Sequence, residues 1–355
     1  MSTAVLRSNR SFPFRYNNRF FNFPGEKTET IASTLHTFLL TLLQKKHGLH
    51  KLEEEWVIKE SESFISSHAG LDPLITCVGH ATFLIQVGGL SIITDPIFGN
   101  PSSLFPRLTQ SGISFEHIPH VDVVVISHNH PDHLDEMTLK ALFQKNPAIK
   151  FFVPWGDKQW FWDRGFLRVE ECMWWDTIDL LPHATSPVQI TFLPARHWSG
   201  RGLFDWNKSL WGSWMISSSV HTVYFAGDSA YGAHFKEIAH HFPTIDTALM
   251  PVGPCEPHQA LKDSHLNPEE AGQAFLDLNA VEFVPMHWGV YSLGTDYPLL
   301  PIERIQNWWK KRSDRVKDKT LRLVKFGQRI ACKRHVLASI SSRVCTSPLK
   351  KITPR

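Results

Sequence analysis

Cysteine is sparse and unpatterned in this chain of 355 residues. The five residues Cys77, Cys172, Cys255, Cys332 and Cys345 are odd in number, widely spaced and contain no CxxC pair. That excludes a disulfide framework or zinc knuckle and points to free thiols in a reducing compartment. Charge of one sign is also lacking, and a formal net charge of +3 gives no footing for nucleic-acid binding. No apolar run reaches the ~20 residues that a membrane-spanning helix needs. The first thirty residues lack the apolar stretch and cleavage site of a signal peptide, so a cytoplasmic protein is expected. Internal repeats are absent.

What is present is a large apolar fraction, 42% of residues, enough to bury one sizeable core. Ile31, Leu35, Phe38, Leu39, Leu42 and Leu43 recur at helical spacing and predict an amphipathic helix over 31–43. Such a helix either packs on its own domain or lies in a lipid interface beside Lys45 and Lys46, making the protein peripheral at a membrane. Ahead of it the chain is basic and aromatic, with Arg7, Arg10, Arg15 and Arg19 preceding the first acid, Glu26; it reads as a transit peptide or a surface arm. From Lys319 onward there are ten Lys or Arg and no acid, and the end of this tail is expected to be disordered. Residues 1–70 are thus read as an N-terminal extension, 71–330 as the main domain and 331–355 as a basic tail.

Within the main domain strands and helices alternate. Strands are predicted at 74–87, 90–94, 121–126, 150–153, 188–193, 220–226, 245–250, 281–286 and 320–326, and helices at 136–145, 156–164, 231–241, 268–278 and 302–312. Pattern alone supports α/β or α+β. Thirteen tryptophans are many, and five of them, Trp155, Trp160, Trp162, Trp174 and Trp175, fall close together, as core packing or as an apolar, lipid-facing wall.

The segment SHNHPDHLD follows the apolar run VDVVVI and gathers four metal donors in six residues. On an extended turn His128 and His130 can converge on one cation while Asp132 and His133 face another. Nitrogen and carboxylate donors together favour zinc over iron or manganese. Two cations need more donors than four, and three candidates close predicted strands: His197 after VQITFLPA, Asp228 after HTVYFAG and His287 after VEFVPM. Asp95, in the TDP turn, is a candidate acceptor from a ligand imidazole, with turn capping as the plain alternative. His80 is read as bracing the fold near the metals.

The order HxHxDH, then His, then Asp in a GD turn, then His resembles the metallo-β-lactamase superfamily. The segments VGHATFLIQ, TDPIFGNPSS, FVPWG, LPARHW, LWGSW, FAGDSAY, HLNPEEA and HWGVY are similar to the N-acyl phosphatidylethanolamine phospholipase D branch and its bacterial relatives, over roughly residues 20–330. The resemblance implies a four-layer αββα sandwich over 71–330. It implies two zinc ions, one held by His128, His130 and His197, the other by Asp132, His133 and His287, with Asp228 bridging them. Sugar-phosphate lactonases of the superfamily share the GHAT and TDP elements.

Two cations sharing a water supply a nucleophile near neutral pH and offset charge on the oxygen of the group attacked, which suits ester hydrolysis. Asp132 is expected to orient that nucleophile and Asp228 to fix the metal separation. Asn267 can cap a helix starting at Pro268, which sets His265 beside a helix N-terminus, where it can contact a phosphate oxygen or protonate a leaving alcohol. The reading is a binuclear zinc phosphodiesterase of phospholipase D type acting on an N-acylated ethanolamine phospholipid; a homodimer is compatible with it. The alternatives are a soluble lactonase or esterase and, from another class, a metal-bound but inactive binding protein.

Overall fold

Strands from the first half of the chain form one sheet and those from the second half another, with a single late strand returning to the first. The computed structural model describes residues 10–24, 39, 54–58, 73–180, 187–202 and 204–332. A short hairpin comes first, β1 (Phe14–Tyr16) and β2 (Arg19–Phe21). The first large sheet contains β3 (Leu74–Gly79), β4 (Thr82–Val87), β5 (Leu90–Thr94), β6 (Val123–Val125), β7 (Lys150–Pro154) and β8 (Val169–Cys172). The second contains β9 (Thr177–Asp179), β10 (Val188–Leu193), β11 (Ser213–Ser218), β12 (Thr222–Phe225), β13 (Thr247–Pro251), β14 (Glu282–Met286) and β15 (Thr320–Leu321). Last comes β16 (Arg329–Ala331), paired antiparallel to β3.

Each sheet is antiparallel at one side and parallel at the other. β3, β4 and β5 form a meander, after which β5 to β8 run parallel; β9 to β12 are antiparallel and β12 to β15 parallel. Parallel strands need crossovers, and those crossovers cover the outer faces with helices. On the first sheet lie α1 (Glu136–Lys145) and α2 (Lys158–Trp162), whose Leu139, Leu142 and Phe161 pack with Leu84, Ile93, Val124, Phe151 and Val153. Against the second lie α3 (His234–His241), α5 (Pro268–Asp277) and α6 (Leu300–Lys311), with the short α4 (His258–Leu261) in the connection ahead of α5. Between the sheets, Ile75, Phe83, Ile85, Ile92 and Val125 meet Ile190, Phe192, Trp214, Ile216 and Phe225 in one core. The result is the αββα sandwich.

Local sequence explains the clearest boundaries. The Asp135 side chain accepts from Thr138 N and starts α1, and Asn267 with Glu270 forms a capping box ahead of Pro268 in α5. The expected strand 74–87 divides, because Gly79 and His80 take positive φ and turn the chain between β3 and β4. β8, β9, β11 and β16 lie outside the expected strands, and 320–326 pairs with β14 only over Thr320–Leu321, Phe326 bridging instead to Val57. Trp174 and Trp175 are buried in the core, whereas Trp155 and Trp162 are exposed.

Of the helix expected at 31–43 only Leu39 is described, in helical conformation and exposed; the remainder, and the tail from 333, lie outside the described residues. Ahead of it, the described part of the region read as transit peptide or surface arm, residues 10–24, is docked: Phe20 is fully buried in the central core. Among the described residues no helix is long and apolar enough to cross a membrane. Cys77, Cys172, Cys255 and Cys332 are buried and unpaired.

Candidate metal centre

The carboxyl ends of β5, β6, β12 and β14 open onto one side of the sandwich, the edge where α/β sheets gather ligands. Each is followed by a polar residue of the site: Asp95 after β5, His128 after β6, Asp228 after β12 and His287 after β14. His197 arrives from the loop after β10. His80, Asp95 and His287 have φ of 56°, 33° and 60°, left-handed values that cost non-glycine residues energy and that cluster here at strand ends.

The side chains sort into two groups. His128, His130 and His197 form one: His128 Nε2 lies 2.8 Å and His197 Nε2 3.2 Å from His130 Nδ1. Asp132, His133 and His287 form the other, joined by His80. His133 Nε2 is 3.2 Å from His287 Nε2, and both lie within 3.5 Å of Asp132 Oδ2. Asp228 stands between the groups, its Oδ2 at 3.2 Å and 3.3 Å from the Nε2 atoms of His287 and His133 and at 3.9 Å from those of His128 and His197. All the residues expected as ligands are therefore in one place. His80, read as a brace, is a member of the donor cluster as well, with Nε2 3.1 Å from Asp132 Oδ2.

Outer contacts aim the rings. His133 Nδ1–H donates to Asp95 Oδ2 at 2.7 Å, and Ser127 Oγ, itself donating to that oxygen at 2.5 Å, accepts from His128 Nδ1 at 2.9 Å. His197 Nδ1–H donates to the Ser264 carbonyl at 2.7 Å. In each case the opposite nitrogen is left for the centre. Arg201 ties the ligand loop by donating to the carbonyls of Asn129 and Leu134, and Trp198 packs against His130 with ring centroids 3.9 Å apart.

The donor set fits metal. Buried nitrogens of four imidazoles face one another, and Asp228 Oδ1, among the described residues, is buried without a hydrogen-bond partner. Burial and neighbouring imidazoles hold His128 well below the usual histidine range; burial above all pushes His130 and His197 down to about 3. These three rings are neutral and ready to coordinate. In the other group burial is outweighed by Asp228 and Asp132, which lift His287 to about 9 and His133 well above its usual range. Protons there occupy the place of positive charge that a cation would supply.

His265 lies just before the capped α5, its Nδ1 3.7 Å from Asp228 Oδ2 and its side chain 15% exposed at the edge of the cluster. Burial pushes it down to about 3.

Comparison with known proteins accords with this geometry. The Beta-lactamase superfamily domain matches residues 91–288. N-acyl-phosphatidylethanolamine-hydrolyzing phospholipase D 1 of Caenorhabditis elegans is 32% identical over 274 residues, 74% of this chain and 76% of that protein. The mitochondrial N-acyl-phosphatidylethanolamine-hydrolyzing phospholipase D of Saccharomyces cerevisiae is 34% identical over 65% of this chain, which spans 50% of the yeast protein. Among solved structures, the metallo hydrolase Igni18 of Ignicoccus hospitalis superposes with a TM-score of 0.56 at 24% identity, covering 73% of this chain and 97% of that one. A two-sheet sandwich with a buried His/Asp centre at its strand ends, and relatives of this identity over most of the chain, place the protein in the metallo-β-lactamase superfamily of metal-dependent hydrolases, among the homologues of N-acyl-phosphatidylethanolamine-hydrolysing phospholipase D.

Proposed function

We propose that the chain is a binuclear zinc phosphodiesterase of phospholipase D type, cleaving N-acyl phosphatidylethanolamine or a close analogue to an N-acylethanolamine and phosphatidic acid. The observation that carries the two-metal reading is Asp228, whose one oxygen lies within 3.9 Å of imidazole nitrogens from both donor groups. His128, His130 and His197 would hold one ion, Asp132, His133 and His287 the other, and Asp228 both. The bound pair supplies a nucleophile at neutral pH and charge stabilisation for the phosphoryl oxygens. The substrate reading rests on the two phospholipase D relatives, both of which are named for hydrolysis of N-acyl phosphatidylethanolamine.

The chain's own residues have distinct tasks. Asp132 sits on the more open side of the cluster, 14% exposed, where it orients the attacking group. His265 is neutral at physiological pH, because burial holds it near 3. It therefore serves as a hydrogen-bond donor to a phosphoryl oxygen, and takes the acid role toward a leaving alcohol only once an anionic substrate raises its proton affinity. Contact with a membrane surface follows from a lipid substrate.

The test is direct. Zinc-loaded protein, given vesicles containing N-acyl phosphatidylethanolamine, should release N-acylethanolamine and phosphatidic acid in equal amounts by mass spectrometry. Turnover of lactones or carboxylic esters with no phosphodiester cleavage would replace this reading by the soluble lactonase or esterase alternative.

A further inference from the structure

The strand and turn at 19–23 lie outside the matched superfamily region, yet they reach the metal centre. Asn22, 3% exposed, donates from Nδ2 to the His197 carbonyl at 3.1 Å, and its Oδ1 accepts from His197 N at 3.1 Å. One planar amide thereby satisfies both backbone groups of His197, which follows the end of β10. An unpaired buried donor or acceptor is costly, so this pairing holds His197 where a bare loop would not. The ring is fixed from the other side by the Ser264 carbonyl, which turns Nε2 toward the centre.

The same strand grips the following loop at two further points. Phe20 N donates to Asn207 O at 2.7 Å and Arg19 donates to the Trp206 carbonyl. Asn207 Oδ1 in turn accepts from Ser199 N at 3.1 Å, so the hairpin holds the loop on both sides of Trp198. His128 and His130 need no such help. They sit on a turn that follows β6 directly and is stapled by Arg201 and Ser127.

We infer that Asn22 is a positioning residue for His197, and that the N-terminal strand is a working part of the first half of the metal centre. The inference rests on the two-metal reading of that centre. Loss of the amide frees the His197 backbone and weakens binding at the half built on His128, His130 and His197, leaving the half built on Asp132, His133 and His287 as it was. Partners of this kind set metal affinity by about 10- to 100-fold.

The experiment is titration of metal-free full-length protein with cobalt against a competing chelator, read by visible absorption, for the parent, Asn22→Ala, Asn22→Asp and Phe20→Leu. In the parent two equivalents bind. Asn22→Ala is expected to weaken one of them by about 10- to 100-fold and leave the other unchanged. The His197 amide of metal-free Asn22→Ala should exchange with deuterium faster, with the His133 amide unaffected. Phe20→Leu, which loosens the hairpin but keeps the amide, should lower the melting temperature without that selective loss.

Parent-like binding of both equivalents in Asn22→Ala overturns the inference, as does equal weakening of both that Phe20→Leu reproduces. Should Asn22→Ala fail to fold, Asn22→Asp is decisive, since it can accept from His197 N but cannot donate to His197 O; unchanged affinity there also overturns it. Uptake of a single equivalent by the parent would instead sink the two-metal reading, and the His197 amide exchange would still decide the role of Asn22.

Discussion

The two halves of the metal centre are built on opposite electrostatics. His128, His130 and His197 are neutral rings held by neutral partners: a serine hydroxyl, a backbone carbonyl and, through the main chain, the Asn22 amide. His133 and His287 are held by carboxylates, with Asp95 behind His133 and Asp132 and Asp228 in front of both. The first half can accept a cation without losing a proton. The second must exchange protons for it, and gains a more negative cage in return. Charge is therefore concentrated on one side, and Asp228 is the group common to both.

Removing Asp228 affects both halves at once, because it takes away the carboxylate they share and with it the charge that holds the protons on His133 and His287. Lewis-acid stabilisation is worth several kcal/mol, so Asp228→Ala should lose roughly a thousand-fold or more in kcat/KM. Metal content should fall toward one ion or fewer per chain. Turnover within tenfold of the parent, measured on zinc-reconstituted protein, would remove Asp228 from the centre.

His265 belongs to neither half, and its substitution should separate metal binding from catalysis. His265→Ala should retain both ions and lose about a hundred-fold in kcat, the lower range for a proton-transfer or hydrogen-bonding group. His265→Gln, which keeps an N–H donor, should recover part of that loss if the neutral ring acts by hydrogen bonding. If glutamine is no better than alanine, proton transfer is the task instead. Loss of an ion in either variant would make His265 a ligand.

How much of this is legible in the sequence follows from where the information lies. The HxHxDH turn and the three later donors are visible because each closes an apolar strand, and β3, β5, β10 and β14 begin close to where alternation or apolar runs begin. α1 and α5 are visible because Asp135 and Asn267 mark their starts. β11 is not, since SWMISS mixes buried tryptophan with serine and becomes a strand only through pairing with β10 and β12. The turn at His80 hides in an apolar run, with only Gly79 to signal positive φ. Ser264 acts through a backbone carbonyl, which no side chain announces. Asn22 lies 175 residues from His197 in a segment whose composition reads as a transit peptide or a surface arm.

Within the second half, Asp95 tests whether carboxylate backing is what distinguishes it. Asp95→Asn keeps the shape and, through its one remaining oxygen, the contact with Ser127 N, but removes the charge and the acceptor behind His133. Weakening of the second-half ion by about 10-fold, at the low end for such partners, is expected, with the first-half ion, which Asp95 backs through Ser127 Oγ, weakened less. This is the mirror of Asn22→Ala, and equal weakening of both ions in either variant would show that the halves are not separately supported.

The smallest signal is counted in protons. In the metal-free protein His133 and His287 are raised, His287 to about 9, so the stability they contribute is complete below the ordinary histidine value near 6.5. It is lost as pH climbs through about 9. Asp132 and Asp228 are depressed, so their contribution is present above the ordinary carboxylate value and lost as pH falls through their folded values. The metal-free protein should therefore lose melting temperature between pH 7 and 10, and zinc should remove most of that slope by replacing the protons. Calorimetry in buffers of different ionisation enthalpy then assigns them. At pH 7, His133→Ala should release about one proton fewer than the parent on zinc binding, whereas His197→Ala, whose ring is already neutral, should release as many per ion entering the second half. If the difference appears in His197→Ala and not in His133→Ala, the protonated and neutral halves have been assigned the wrong way round.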